Sequence, residues 1–172
     1  MKHSAALPVA WITLRIMITL VWVFFTCIVA LLAYSFLDEG GASKLFLLAG
    51  LPQSEQSMSE MRAIAGIGLL AAPINYAILR SLVAMVETVR SGDPFVRENA
   101  YRLNAIAWML LVMEVGNIVL PALEKTMPIF QHTLYLSLTT SVNGWLVVIL
   151  TFVLARVFAA GASMREDLEG TV

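Results

Sequence analysis

Apolar residues fill four long stretches of this chain and leave the polar residues crowded between them. The first, 16–37, runs 22 residues without a charge. At about 1.5 Å per residue, a helix of that length reaches about 33 Å, enough to cross the hydrocarbon of a bilayer. A signal peptide is the rival reading, with Lys2, His3 and Arg15 as its charged end. Its apolar region would be shorter and followed by a small-x-small cleavage site, so the pattern predicts an uncleaved anchor. The second stretch, 62–79, follows Ser57-Met58-Ser59-Glu60, which has the form of a capping box. Gly68, Ala72 and Asn75 fall there on one helix face, where small residues let a neighbour approach, and Pro73 predicts a bend. The third stretch, 103–120, is expected to stop near Pro121, and the fourth spans 134–158, with Pro121 and Pro128 bracketing the turn between them. All four are apolar on every side, and no strand-like alternation competes. The prediction is an all-α protein, an integral membrane bundle of four transmembrane helices with cytoplasmic helical extensions.

The connections set the orientation. Lys2, Arg15, Arg80, Arg90, Arg97, Arg102, Arg156 and Arg165 lie on one side of such a bundle, and Lys44, Arg62 and Lys125 on the other. Eight against three places both termini and the middle connection in the cytoplasm, in a multi-pass protein of the inner membrane. Trp11 and Trp108 then fall near the inner interface, and Tyr34, Phe36 and Tyr135 near the outer one. The outer connection, 38–61, contains "KLFLLAGL" at 44–51, too short to span. It is expected to lie as a short helix or loop on the membrane or to cap the bundle. No internal repeat is evident, so an inverted-repeat transporter lacks support.

Composition narrows the partners. Of 172 residues, 59% are hydrophobic and 13% charged, against about a quarter charged in soluble domains. The lipid bilayer is therefore the first partner. A net charge of −1 argues against direct nucleic-acid binding. Cys27 is the one cysteine, within an apolar run, and neither it nor the two histidines has metal-type spacing. No cofactor, metal or catalytic residue is implied, and homo-oligomerisation stays open.

Inside the spans the polar candidates are Glu114, Asn117, Asn143 and Asn75. Asn117 shares the Glu114 face at i+3. Asn143 reaches similar depth if the third and fourth helices are antiparallel, and Asn75 adds an amide from the second. Two readings stand. The group is a proton- or ligand-responsive site, or it is polar glue, with interhelical bonds contributing roughly 0.6 to 2 kcal/mol each.

The second helix continues past the membrane, because Leu79, Leu82, Val83 and Val86 keep helical spacing while Arg80, Glu87 and Arg90 appear. Gly92 is the natural residue to end it at positive φ. Asp93 is expected to cap a new helix with Pro94 at its first position. Phe95 is placed to pack on a neighbouring helix, Asn99 lies one turn on, and Glu98 and Arg102 form an i, i+4 pair. Residues 80–102 thus predict a rigid cytoplasmic hairpin. The tail, 159–172, either stops near Gly161 or continues amphipathically to Leu168. Its end, Thr171-Val172, is either a recognition tail or frayed.

Gly92-Asp93-Pro94-Phe95 with Asn99 and Leu103, followed by Phe158, Gly161, Arg165, Asp167 and Thr171-Val172, resembles the bacterial membrane family catalogued as domain of unknown function 2975. That family shows G-x-P-F-x-x-x-N-x-x-x-L at the second connection and an F-x-x-G … T-V ending. The resemblance covers nearly the whole chain. It implies four transmembrane helices, no established activity, and a small helix-turn-helix regulator as partner.

Three function classes follow. A membrane hydrolase needs a nucleophile set or metal ligands at shared depth, and none is present, so no enzyme is expected. A transporter or channel subunit would use Glu114. A membrane-embedded regulator or sensor would bind a soluble cytoplasmic partner through Gly92, Asp93, Pro94, Phe95, Asn99, Arg165, Asp167, Thr171 and Val172. The last is the expected function.

Overall fold

The computed structural model describes residues 6–48, 55–126 and 142–169, and these form five helices with no strand among them. They are α1 (Ala6–Leu37), α2 (Glu39–Leu48), α3 (Glu55–Arg90), α4 (Arg97–Thr126) and α5 (Val142–Glu169). Four of them, all but α2, are long and apolar enough to cross a membrane. Their apolar side chains are turned largely outward: Leu20, Phe24, Leu70 and Ile149 are all exposed. A chain that exposes apolar surface along four long helices is a multi-pass membrane protein, since water would not tolerate patches of this size. The hydroxyls within these helices bond back to their own backbone, as in Thr26 to the carbonyls of Trp22 and Val23, Ser81 to Ala77 and Thr151 to Val147. Such bonds satisfy a polar group without a neighbour.

Contacts divide the chain into two units. One comprises 1–20, 74–114 and 141–172. Its interior is built from Leu79 and Val83 of α3, Leu103, Ile106 and Ala107 of α4, and Val148, Thr151, Ala155 and Ala162 of α5. Each set recurs at three- or four-residue spacing, as one face of a helix must. Within this unit α4 and α5 run antiparallel: Glu114 lies against Gly144, Trp108 stacks edge-on with Phe152, and Phe95 meets Phe158. The other unit comprises 21–73 and 115–140. There Ile28, Ser35, Ala42 and Ala72 are buried, and a Cβ added to Gly68 would come within 3.0 Å of Ile28 Cδ1. The helix that comes close to Gly68 is therefore α1, a partner the small residues alone did not name.

Several boundaries differ from the sequence expectation. α3 begins at Glu55, so Ser57–Glu60 lies inside the helix rather than ahead of it. α2 covers Glu39–Leu48 and so starts ahead of Lys44, because Asp38 caps it: Asp38 Oδ1 accepts from Gly41 N at 2.9 Å; residues 49–51 lie outside the described residues. α4 continues through Pro121 to Thr126. A proline removes one backbone donor but does not forbid the next turn, and in apolar surroundings the helix is the cheapest way to satisfy the rest of the backbone. Pro73 lies within α3, as it lay within the expected second span. α5 passes Gly161 and reaches Glu169, so the tail follows the longer of its two readings. The start of the predicted fourth span at 134, Pro128, Tyr135, Thr171 and Val172 lie outside the described residues.

Candidate functional site

The most organised polar cluster is the α3–α4 corner with the end of α5. The corner begins with a helix stop. Gly92 has φ +87°, its N–H bonds the Val89 carbonyl at 3.2 Å, and the Asp93 N–H bonds the Thr88 carbonyl at 3.0 Å. These two bonds satisfy carbonyls that the end of α3 would otherwise leave open, and the positive φ is why glycine stands there. Asp93 and Pro94 do not start the next helix. Residues 93–96 are neither helix nor strand, and α4 begins at Arg97, three residues after Pro94. The Asp93 carboxylate is drawn away from a capping role by Arg165 of α5, with which it pairs.

Asn99 holds the corner together. It is fully buried, at 0% exposure. Its Nδ2 donates to Thr88 Oγ1 at 2.6 Å and to the Pro94 carbonyl at 2.9 Å, and its Oδ1 accepts from Arg102 Nη1 at 2.8 Å. One amide thus ties the last turn of α3, the connection and the first turn of α4. The expected Glu98–Arg102 pair does not form, because Arg102 turns to Asn99.

α5 closes over this corner. Phe95 stacks on Phe158 with ring centroids 5.3 Å apart. It also rests on Gly161, where a Cβ would lie 2.7 Å from Phe95 Cδ1. Arg97 grips Glu166 with two bonds, Nε to Oε1 at 2.8 Å and Nη2 to Oε2 at 2.5 Å, a planar fork that fixes orientation as well as distance. Phe158, Gly161, Ala162, Arg165 and Glu166 therefore share the face of α5 turned to the corner. Glu166 escaped the sequence reading, although it lies on the same helical stripe as Phe158 and Ala162. Asp167 lies beside this face and is exposed.

Two further clusters sit near helix ends. Trp11 Nε1 donates to Glu87 Oε1 at 3.2 Å, and Arg15 and Arg90 lie over the same indole at 4.9 and 5.8 Å. Arg15 also pairs with Glu87 at 3.8 Å. In the second unit Arg62 Nη2 donates to the Ser35 carbonyl and to Glu39 Oε1 (2.8 Å), its Nε to Ser35 Oγ (3.2 Å), and its guanidinium stacks on Phe36 at 4.3 Å. Arg62 thus caps the end of α1, where the last carbonyls lack helical partners. Counted in the sequence only as an outer charge, it is a structural residue.

Of the intramembrane candidates, Glu114 has a defined neighbour on α5. The Glu114 carboxylate lies against Gly144, where a Cβ would collide with it. Its neighbour in sequence, Asn143, is exposed, as is Asn75. Asn117 belongs to the other unit. Among the described residues no three His, Cys, Asp or Glu side chains converge as metal ligands would. Comparison of the chain with protein-family models, with curated proteins and with solved structures finds no match.

Proposed function

We propose that this is a membrane-embedded regulator of the inner membrane, related to the family its corner motif resembles, whose cytoplasmic corner and tail present a surface to a soluble helix-turn-helix regulator. One observation carries the reading. Where α5 leaves its apolar run it stays helical and is docked by Phe95, Asp93 and Arg97, yet Met164 and Leu168 remain 65% and 70% exposed. They lie one turn apart, next to Arg165, Glu166 and Asp167, on a segment polar enough to stand clear of lipid. An exposed apolar pair on a rigid, polar helix suits helix-in-groove recognition. The corner residues themselves serve as the platform, since Asn99 is wholly buried and Asp93 and Phe95 are engaged by α5.

The test is co-purification from the native host in mild detergent. A small helix-turn-helix protein should be recovered with the wild type and lost with Met164→Glu/Leu168→Glu. Recovery of no such protein, or full retention by the double variant, defeats the reading. A second reading, a proton- or small-solute-linked transporter subunit, is favoured by the Glu114 carboxylate against Gly144 between two spans. It requires a flux in liposomes that Glu114→Gln abolishes. Absence of flux in the wild type ends it.

A further inference from the structure

A groove of about 470 Å³ runs between α4 and α5 on the outer face of the first unit, away from the Glu114 contact. Its polar end is formed by Tyr101, Asn104 and Arg156, its apolar end by Trp108 and Phe152, and its floor is kept low by the buried Ala155, with the exposed Ala159 also lining it. Trp108 and Phe152 meet edge-on at 5.5 Å, which fixes the apolar wall. The position along the helices is informative. Arg156 is the first charge on α5 after Val142, and on α4 the residues 105–113 that follow Asn104 carry none. The groove therefore lies where a long uncharged run ends on each helix.

Arg156 is the one charged side chain that lines this groove; among the described residues of the unit, Arg80 and Arg90 share with it the lack of a carboxylate within ion-pair distance. Arg15, Arg97 and Arg165 each have a carboxylate within ion-pair distance, and Arg102 bonds Asn99. Among the described residues Arg156 has no such partner, and no carboxylate lines the groove. A guanidinium at a membrane boundary favours a phosphate oxyanion, which it binds in a fork. Tyr and Trp at that level are amphipathic interface residues. The absence of a lining carboxylate leaves nothing to receive an ammonium group.

We propose that this groove binds one anionic phospholipid. Arg156 takes the phosphodiester, the Tyr101 hydroxyl and Asn104 amide take the remaining headgroup oxygens, and an acyl chain lies along Trp108 and Phe152. The proposal does not rest on the regulatory reading, since none of these residues belongs to the docked corner.

Native mass spectrometry of the intact protein, titrated with dioleoyl phosphatidylglycerol or dioleoyl phosphatidylcholine, tests it. The wild type should show one saturable phosphatidylglycerol adduct and at least tenfold weaker phosphatidylcholine binding. Arg156→Gln should weaken the adduct about tenfold. Ala159→Trp, which fills the groove but keeps the charge, should do the same, while Arg80→Gln, a cation outside the groove, should leave it intact. Retention of the helical circular dichroism spectrum identifies folded variants. Equal binding of the two lipids, equal loss in Arg80→Gln, or an undiminished adduct in folded Arg156→Gln or Ala159→Trp overturns the proposal. Conversion of a dimer to a monomer by Ala159→Trp, with the lipid adduct unchanged, would mark the groove as a self-association face and equally overturn it.

Discussion

Replacing Asn99 by alanine removes the residue on which the corner converges, and its cost can be worked from the structure. Two donated bonds are lost, to Thr88 Oγ1 and the Pro94 carbonyl, and one accepted bond from Arg102. Each is worth about 1 kcal/mol net. The half-buried Pro94 carbonyl loses its donor, and the volume vacated by a wholly buried side chain adds a cavity term. The expected loss is about 3 kcal/mol, or roughly a hundredfold in the equilibrium for local opening. Hydrogen–deuterium exchange of the protein in detergent reads it directly. The amides of Gly92 and Asp93, bonded to Val89 and Thr88, should exchange roughly a hundredfold faster, while those in the middle of α1 should not change. Asn143→Ala, the same chemistry at an exposed position, should alter stability by less than about 0.5 kcal/mol. An acceleration at Gly92 and Asp93 below about threefold, or an equal effect from Asn143→Ala, refutes the claim that Asn99 is the keystone of the corner.

Gly92→Ala should cost about 1 kcal/mol and Gly92→Asn clearly less, because nothing lies within 4 Å of an added Cβ and the only penalty is the positive φ; thermal unfolding of both variants checks the order. Arg97→Glu should loosen the end of α5, and Arg97→Glu/Glu166→Arg should restore it. The pair is exposed, so the cycle's coupling should be weak and should shrink further with added salt, read from exchange over 160–168. Arg62→Ala should destabilise the α1–α2 junction by about 1 to 2 kcal/mol through the lost Ser35 cap, seen as faster exchange over 34–42. Arg62→Lys should recover only part, since a single ammonium does not reproduce the fork.

What the sequence determined alone were the features that depend on local chemistry. Runs of apolar residues long enough to cross a bilayer need no partner to be recognised, because transfer into hydrocarbon depends on composition and length. Gly92 was legible for a similar reason: a left-handed residue at a helix end is a local steric demand. Boundaries decided by competition were not legible. Asp93 was free to cap α4 or to pair with Arg165, and the pairing, across 72 residues, exists only once α5 is docked. Pro121 looked like a stop, yet α4 passes it because the surroundings favour a continued helix. The inward faces of the spans were hidden for another reason. In lipid both the packed and the outward sides of a helix are apolar, so periodicity carries no sign of which side faces a neighbour. Only the tertiary structure could choose that rotation. With it came the burial of Asn99, the grip of Arg97 on Glu166, the Arg62 cap, and the groove with Arg156 at its mouth.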